Sequence, residues 1–557
     1  MARPIEEVQT EIRALLFPTA KERSDLGLPT SGRECLREVC HIIWDHLKER
    51  GRVFFANGQG YVMCEDNIPI VVSHDGVAFS YLLETDYLIS PGLKERRDIG
   101  LHVGMMCETE GRRVQFRVGS HYDTASNIVY TAEKRGWILR ITKESVTRVE
   151  NGGDDQFFLF PDGYEEWEIG DLNSMPGTLF PFEPDEAIAE PSIFDELFFE
   201  GMRLNESTLT LHERKLLIKV YIVTLFMRGV IHERLLFLLL GKTGSGKTYL
   251  ARVLGKMLIG FSFDVVGLDE DPKELENKLV NNVFVALDDP SGLTAKSLSL
   301  IKRAVTGGKM QRRNLYTTAQ QIEMPYIADI AMTTVSQPFH NEEETNRQLC
   351  ITLAQREGGN RSERELLREV TARRSEFLWE IVGTISDVLE ALDENKDYNG
   401  TVHMRLAGFA ILFIKIMRHE ARIPNEGEAL ARSILDRWKM EQESSIFAND
   451  DLAEAIQKWM ETEGFRPGQP YTAGDLLQKL ALHWRGRPYW SDSSLRLGLK
   501  LKVSEGSFER VFGLVITTDS HAKTNLYVCI QSARDITVSA VFCGKYSRTL
   551  RGVLPAD

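Results

Sequence analysis

Hydrophobic periodicity divides the 557-residue chain into regions of different character. Within residues 1–50, apolar side chains recur every three or four positions, as they do on one face of a helix. These positions are Leu36, Val39, Ile42, Ile43 and Leu47. From residue 51 to residue 175 the apolar runs are short, rich in β-branched residues and bounded by turn residues, which predicts strands. We therefore expect a helical lead-in, 1–50, followed by a β-rich accessory or collar domain, 51–175.

The middle of the chain alternates between apolar strands and amphipathic helices. A linker rich in Pro and Glu, 175–191, precedes this region, and a continuous apolar run at 235–240 predicts a buried strand. Helices are predicted at 215–227, 249–259, 363–392 and 402–420. Strands that alternate with helices indicate an α/β domain, which we expect to span 192–440 with the last two helical stretches forming a lid.

The C-terminal region combines three short helical patterns with two strands. The helices are predicted at 452–459, 471–480 and 494–501, and the strands at 511–518 and 525–530. This order is typical of a winged helix, which we place at 450–535, followed by a tail, 536–557. Arg496 and Lys500 lie on the third helix, where a recognition helix would meet DNA. The alternative is a winged helix that is used only for protein contacts.

The apolar run at 235–240 leads into a glycine-rich octapeptide with the pattern of a phosphate-binding loop. Its residues are Gly241, Lys242, Thr243, Gly244, Ser245, Gly246, Lys247 and Thr248. Glycines allow the backbone N–H groups to point at phosphate oxygens, the Lys247 ammonium can reach the β- and γ-phosphates, and the Thr248 hydroxyl can ligate Mg²⁺. The dipole of the following helix adds a positive end. An ordinary glycine-rich turn would not need Lys and Thr at these places, so the loop predicts ATP binding and hydrolysis.

A second apolar run, 283–287, ends in Asp288, Asp289 and Pro290. A strand that delivers carboxylates at its carboxyl end supplies the second half of a nucleotide site. We expect Asp288 to hold Mg²⁺ through water and Asp289 to polarise the attacking water. Taken alone, an ordinary Asp-Asp-Pro turn would be the better interpretation of this segment.

Basic residues collect after this strand, and they accompany a run of Thr306, Gly307 and Gly308 that is followed by 315–317 (Leu-Tyr-Thr). The cations are Lys302, Arg303, Lys309, Arg312 and Arg313. This segment is similar to the one after the acidic strand in superfamily 3-like (AAA+) helicase ATPases of phages, plasmids and integrated mobile elements.

The resemblance extends over roughly residues 125–420. It implies an α/β P-loop NTPase core of the AAA+ type, with a β-hairpin that protrudes into the central channel of a hexamer. The hairpin strands would be 313–316 and 321–324, with the tip at 317–320. Lys309, Arg312 and Arg313 are then candidates for DNA contact, and a solvated basic face is an equal alternative.

The same resemblance implies three further site residues. The strand at 326–332 leads into Thr333 and Thr334, and Thr334 takes the place of the polar sensor of the γ-phosphate. Arg347 is the implied arginine finger, supplied by a neighbouring subunit to neutralise charge on the transferring phosphoryl group. Arg405 is a candidate for a second sensor. Considered as an isolated arginine, Arg347 would more often form a surface salt bridge.

Composition narrows the class of protein. With 43% hydrophobic and 27% charged residues, the chain is expected to be globular and cytoplasmic, because it contains neither a membrane-length apolar run nor the apolar core of a signal peptide. The seven cysteines include no Cys-x-x-Cys spacing, so neither a disulfide framework nor a zinc ribbon is indicated. A net charge of −14 argues against a protein coated in nucleic acid but leaves a local basic channel open.

We therefore expect an ATP-dependent DNA helicase or translocase that forms an oligomeric ring, a hexamer by resemblance, and serves replication of a mobile element. ATP and Mg²⁺ are the expected cofactors, and single-stranded or forked DNA is the expected partner. The alternative is a ring-forming assembly ATPase without helicase activity, which acts as an immune or regulatory switch or scaffold. The acidic net charge and the neutral hairpin tip leave this alternative open.

Overall fold

The computed structural model describes residues 3–73, 76–90, 95–160, 164–167, 179–180, 192–199, 202–204, 208–267, 271–288, 294–313, 321–335, 337–339, 342–355, 362–445, 451–462, 465–484, 488–503, 505–518 and 525–529. The chain divides into two compact units. The first contains residues 1–172 and 309–325, and the second contains residues 173–308 and 326–557. Among the described residues, no helix is both long enough and apolar enough to cross a membrane.

The first unit begins with helices that pack on a small sheet. The helices are α1 (Ile5–Leu16), α2 (Ala20–Asp25), α3 (Gly32–Arg50), α4 (Val77–Thr85) and α5 (Glu95–Glu110). The strands are β1 (Arg52–Ala56), β2 (Gln59–Met63), β3 (Pro69–Val72) and β4 (Arg112–Arg113), in the order β3-β2-β1-β4. Helix α3 contacts α5, and α5 contacts β2. The region predicted as β-rich therefore also contains two helices.

The rest of the first unit is mostly antiparallel sheet. The strands are β5 (Phe116–Val118), β6 (Ser120–Asp123), β7 (Ile128–Lys134), β8 (Trp137–Ile141), β9 (Val146–Glu150) and β10 (Phe157–Leu159). Strands β6 to β9 form a meander in chain order, while β10 pairs with β5 in parallel. Glu133 of β7 is fully buried, and both of its carboxylate oxygens accept hydrogen bonds from the Arg148 guanidinium of β9. This paired charge belongs to the core of the sheet.

The second unit is built on a five-stranded parallel sheet. Its elements up to the sheet's last strand are α6 (Leu211–Phe226), β11 (Leu236–Gly241), α7 (Lys247–Leu258), β12 (Val266–Gly267), α8 (Pro272–Asn281), β13 (Phe284–Asp288), α9 (Ala295–Val305), β16 (Asp329–Thr334), α10 (Glu342–Thr345) and β17 (Gln348–Leu353). The strand order is β12-β13-β16-β11-β17, with every neighbouring pair parallel. Strand β11, which pairs with β16 on one side and with β17 on the other, is buried along its length, as expected for a sheet covered on both faces.

Between α9 and β16 the chain forms an antiparallel hairpin. Its strands are β14 (Lys309–Arg313) and β15 (Gln321–Pro325). The first strand begins four positions earlier than predicted. The reason lies at the end of α9, where the N–H groups of Gly307 and Gly308 close onto the carbonyls of Ala304 and Arg303. Such a glycine-rich helix terminus stops α9, so the strand follows immediately. The predicted tip, 317–320, lies outside the described residues.

Four helices follow the sheet, α11 (Glu363–Ala372), α12 (Arg374–Glu394), α13 (Ala407–Glu420) and α14 (Pro424–Ser445). The last of them was not predicted. Ion pairs hold its C-terminal half against α6: Arg437 pairs with Glu213, and Glu441 pairs with Arg214 at 3.2 Å. All four side chains are at least two-thirds buried. These ion pairs therefore attach α14 to α6, the helix that precedes the first strand of the parallel sheet.

The C-terminal domain has a core of its own. Its elements are α15 (Asp451–Met460), β18 (Pro470–Thr472), α16 (Ala473–Leu480), α17 (Ser494–Val503), α18 (Glu505–Phe512), β19 (Leu514–Thr518) and β20 (Asn525–Cys529). Helices surround an antiparallel sheet of order β18-β20-β19, and Trp459, Leu476, Leu497 and Tyr527 meet in the core. Helix α18 occupies the start of the strand predicted at 511–518. The tail, 536–557, lies outside the described residues.

Candidate functional site

The glycine-rich loop lies at the carboxyl edge of the parallel sheet, between β11 and α7. From β11 the chain passes to the edge strand β12, returns through β13 and β16, and then crosses β11 to reach β17. The strand order therefore reverses beside β11. In open parallel sheets, ligands bind outside the carboxyl ends of strands at such a reversal.

The conformation of the loop requires its glycines. Gly244 and Gly246 have φ angles of 80° and 90°, which is the left-handed region that side chains with a Cβ rarely adopt. No atom lies within 4 Å of the place where a Cβ would stand at either position, so both face open space. Gly241 is different, because a Cβ there would lie 2.6 Å from the Ser245 Oγ.

The start of α7 is suited to an anion. Gly246 precedes the helix and offers no side-chain cap, and the first N–H groups of a helix commonly bind phosphate. The Ser245 Oγ is buried and makes no hydrogen bond among the described residues. The Lys247 Nζ donates to the carbonyl oxygens of Gly241 and Lys242 at 2.8 and 3.1 Å. The loop therefore gathers cationic and N–H groups in one cradle.

Three side chains from three different elements meet beside this cradle. The Thr248 Oγ1 of α7 donates to the Asp288 Oδ1 of β13 at 2.8 Å. The Thr333 Oγ1 of β16 donates to the same oxygen, since Asp288 and Thr333 stand opposite each other in the sheet. Hydroxyl and carboxylate oxygens are hard ligands, and Mg²⁺ is commonly held by one or two of them together with substrate phosphates and water. Thr248 and Asp288 fit that ion.

Within the described ranges, no cluster of three or more His, Cys, Asp or Glu side chains is placed to hold a metal. The fit to Mg²⁺ therefore depends on one carboxylate, one hydroxyl and the phosphates of a nucleotide. Asp289, the predicted partner of the attacking water, lies outside the described residues.

Two adjacent threonines end β16, and the structure places the hydroxyl of Thr333 against Asp288. That Thr334 senses the γ-phosphate stays a prediction. Thr334 stands opposite Leu240 of β11 and is buried. The choice between adjacent threonines depends on sheet register, because successive side chains of a strand point to opposite faces.

Arg347 lies at the other edge of the sheet. It directly precedes Gln348, which stands opposite Leu236 at the amino end of β11, whereas the loop follows Gly241 at the carboxyl end. Five residues of strand separate the two edges by roughly 16 Å, which exceeds the reach of an arginine side chain. Arg347 is therefore too far from the loop of its own chain to contact a phosphate bound there.

The structure does not bring Arg405 to the loop either. The exposed Arg405 precedes Gly408, whose N–H donates to the Glu233 Oε1 at 3.4 Å. Glu233 comes just before β11, at the amino edge of the sheet. The second-sensor prediction for Arg405 therefore has no support within a single subunit.

Three of the five cations in the basic segment form ion pairs within the chain. Lys302 pairs with Glu344, Arg303 lies 3.7 Å from Glu276, and Lys309 lies 3.0 Å from Glu323 across the hairpin. The bond from Lys309 lowers the pKa of the Glu323 carboxyl. The side chains of Arg312 and Arg313 lie outside the described residues. Lys302, Arg303 and Lys309 are therefore paired with acids within the chain, and contact between the basic segment and DNA stays a prediction.

The third helix of the C-terminal domain is also less basic than expected. Arg496 pairs with Asp492, and its guanidinium lies 4.3 Å from the centre of the Tyr489 ring. The outward face of α17 carries Leu495 and Leu499, which are 72% and 56% exposed, and Lys500 is half-buried. An apolar outward face is more typical of protein contact than of contact with phosphates.

One functional neighbour of the site had no sequence signal. The buried Arg374, at the start of α12, donates from Nε to the Met257 carbonyl and from Nη2 to the carbonyls of Leu258 and Ile259 at 3.2–3.3 Å. These carbonyls end α7. A guanidinium at a helix C-terminus satisfies unpaired carbonyls and interacts favourably with the helix dipole, so Arg374 anchors the far end of the loop helix.

A buried acid joins α12 to the start of the second unit. The carboxylate of Glu380 accepts hydrogen bonds from the N–H groups of Ile193 and Phe194 at 3.0 and 3.1 Å. Burial raises the pKa of Glu380 to about 7, although these two N–H groups and the nearby Lys219 favour the charged form, and Asp195 opposes it. Lys219 donates to Asp195 at 2.7 Å, so the same ammonium interacts with both Asp195 and Glu380.

This raised pKa predicts a loss of stability with rising pH. The folded-state pKa lies above the unfolded value of 4.5, so the stabilising contribution of protonated Glu380 is complete below about pH 4.5 and is lost as pH rises to about 7. The variant Glu380→Gln cannot titrate at this position, so its free energy of unfolding is expected to fall less than that of the parent between pH 5 and pH 8, by about 2 kcal/mol. Urea unfolding at both pH values measures this, with Glu390→Gln on the same helix as control. Equal pH dependence in Glu380→Gln and the parent would contradict the prediction.

Comparisons with known proteins give little beyond the geometry. No protein-family model matches the chain, and no curated protein matches it. Solved structures of the NrS-1 C-terminal region align with this chain, with low TM-scores and low sequence identity. An apo structure aligns with a TM-score of 0.34 and 11% identity, and two A-form apo structures align with TM-scores of 0.36 and 0.35 at 10% and 12% identity. Each alignment covers 87% of this chain and 97% of the other.

Proposed function

We propose that this protein is an Mg²⁺-dependent ATPase with a P-loop NTPase core of the AAA+ type, which forms a ring and moves along DNA as a helicase or translocase. The observation that carries the proposal is the convergence of Lys247, Thr248 and Asp288 at the carboxyl edge of the parallel sheet. The strand order supports it, because the site lies where that order reverses.

Each residue of the site has a separate role in the proposed hydrolysis. Lys247 and the first N–H groups of α7 bind the β- and γ-phosphates. Thr248 and Asp288 hold Mg²⁺, which when bound neutralises charge on the phosphate oxygens. Thr333 fixes the Asp288 carboxylate by donating to Oδ1. Asp289, which directly follows Asp288, polarises the attacking water.

The proposed ring follows from the place of Arg347. A guanidinium that neutralises the transferring phosphoryl group must lie against the γ-phosphate. Arg347 lies at the amino edge of its own sheet, a full strand length from its own loop. An arginine finger in this position would complete a neighbour's site, and head-to-tail contacts of this kind form a ring when the rotation between subunits closes.

A second candidate function is a ring-forming assembly ATPase that does not move along DNA. Two observations favour it. Lys302, Arg303 and Lys309 are paired with acids and are not arranged as an open basic channel. Helix α17 presents Leu495 and Leu499 outward, as a protein-binding surface would.

DNA-stimulated hydrolysis separates the two functions. If the protein moves along DNA, single-stranded or forked DNA is expected to raise the ATPase rate about tenfold or more at low salt, and the effect should fall steeply with salt because phosphate contacts release counterions. Hydrolysis and fork unwinding are measured with and without DNA at 50 and 200 mM salt.

Variants of the hairpin supply the internal control. Replacing Arg312 and Arg313 together with alanine should remove the stimulation. Lys309→Ala should change it much less, because Lys309 already pairs with Glu323. If the protein hydrolyses ATP but DNA neither binds to it nor accelerates hydrolysis at low salt, the translocase proposal is wrong and the assembly function takes its place.

A further inference from the structure

Lys302 and Glu344 connect two elements that flank the candidate site. Lys302 lies near the end of α9, the first helix after Asp288 in the chain, and Glu344 lies in α10, just before Arg347. Their side chains form an ion pair, in which the Lys302 side chain is 38% exposed and the Glu344 side chain is 13% exposed. Because the carboxylate is mostly buried, the pair is screened less by solvent than a fully exposed one.

Glu344 is also tied to Arg347 through the backbone. The Arg347 N–H donates to the Glu344 carbonyl at 3.2 Å, and the Gln348 Nε2 donates to the same carbonyl at 3.3 Å. On the other side, the Arg347 carbonyl accepts from the Leu236 N–H at 3.0 Å. The position of the Arg347 backbone therefore follows the position of Glu344.

Buried amides hold the same segment from two further directions. Gln337, which follows β16, donates from Nε2 to the Gln348 Oε1 at 3.1 Å. Gln442 of α14 donates to the Gln348 carbonyl at 2.6 Å. All three glutamines are buried, where a hydrogen bond left unmade costs more than it does in water. These amides hold the Gln348 end of the segment from Glu344 to Gln348. The ion pair with Lys302 connects its Glu344 end to α9.

We propose that Lys302 and Glu344 are positioning residues that hold Arg347 in the place from which it reaches a neighbouring subunit's phosphates. Lys302 was a candidate for DNA contact on sequence grounds, and its pairing with Glu344 gives it this different role. The inference rests on the proposed function, since it requires Arg347 to act between subunits.

Charge reversal tests the pair. Lys302→Glu places two carboxylates together and is expected to lower kcat for ATP by about tenfold to hundredfold, as misplacement of a catalytic group does, with KM for ATP unchanged because each subunit's own loop is intact. Glu344→Lys should have the same effect. The double variant K302E/E344K restores the ion pair in reverse and should recover most of the rate.

Mixing experiments distinguish positioning from damage to the fold. Lys302→Glu subunits keep a working loop, so they should regain activity when mixed with Lys247→Ala subunits, which supply an intact Arg347. The control is the reversed pair K458E/E454K on α15, whose parent side chains form an exposed ion pair far along the chain. That variant should hydrolyse ATP like the parent.

Two outcomes would overturn the inference, and a third would overturn the proposed function instead. Parental kcat in Lys302→Glu, or a defect that neither the double variant nor mixing repairs, shows that the pair does not position Arg347. If Arg347→Ala alone hydrolyses ATP at the parental rate, the arginine does not act between subunits, and the ring proposal itself is wrong.

Discussion

Replacing Lys247 with alanine is expected to lower ATP hydrolysis by about a thousandfold, the scale of losing a charged group that stabilises a transferring phosphoryl group. The Lys247 ammonium donates to the carbonyls of Gly241 and Lys242, both within the loop. We therefore expect the alanine variant to fold like the parent. Steady-state phosphate release gives the rate, and thermal unfolding shows whether the fold is kept.

A second lysine outside the loop provides the control for Lys247→Ala. Lys273 is exposed at the start of α8, and Lys273→Ala should hydrolyse ATP at the parental rate. The proposal of a P-loop ATPase would be wrong if Lys247→Ala, folded as judged by its melting temperature, still turned over ATP like Lys273→Ala.

The parts of the site that local sequence determines were predictable. The strand at 235–240 and the helix at 249–259 correspond to β11 and α7 within two residues at each end. The pattern works here because it reports the backbone directly: Gly244 and Gly246 adopt positive φ, which requires glycine, and a continuous apolar run requires burial on both faces. The contact between Thr248 and Asp288 was also expected, because the sequence assigned both residues to the same Mg²⁺ ion.

Features that depend on distant residues were not predictable from the chain alone. The contact between Thr333 and Asp288 depends on the register between β13 and β16, which no local pattern contains. The ion pairs of Lys302 and Arg303 join residues far apart in sequence, so a run of cations resembled an open basic surface.

Helix α5 was missed for a different reason. Gly100 and Gly104 lie in its interior, and each glycine lowers helix propensity by about 1 kcal/mol relative to alanine. Its buried Ile99, Val103 and Cys107 nevertheless recur every four residues against the sheet. Tertiary packing therefore overrides a weak local preference, which periodicity alone does not weigh.

The base of the hairpin shows how distant contacts change an expected role. The guanidinium of Arg303 lies 5.9 Å from the centre of the Tyr326 ring and 3.7 Å from Glu276, and the Tyr326 hydroxyl donates to Glu276 at 2.7 Å. These residues enclose the point where the chain leaves α9 and the point where it returns toward β16. Arg303 thus anchors the two ends of the hairpin, which leaves Arg312 and Arg313 as the residues to test for contact with DNA.

Replacing Arg347 with alanine is expected to lower hydrolysis by about a thousandfold in homogeneous preparations, the smaller end of the effect of an arginine finger. Mixing this variant with Lys247→Ala should restore part of the rate. An interface is then competent when an Arg347→Ala subunit supplies the loop and a Lys247→Ala subunit supplies the arginine, which in an equal mixture occurs at about one half times one half, or a quarter, of interfaces.

Phosphate release across a titration of the two variants measures this recovery, and size-exclusion chromatography with ATP measures the assembly. Arg364→Ala, an exposed arginine of α11, serves as the control and should be active without mixing. The position of Arg347 at the amino edge of its own sheet is what makes complementation between subunits the expected result, since no rearrangement within one subunit carries it the length of β11. A fully active monomer, or an Arg347→Ala defect that mixing never repairs, would contradict an arginine shared between subunits.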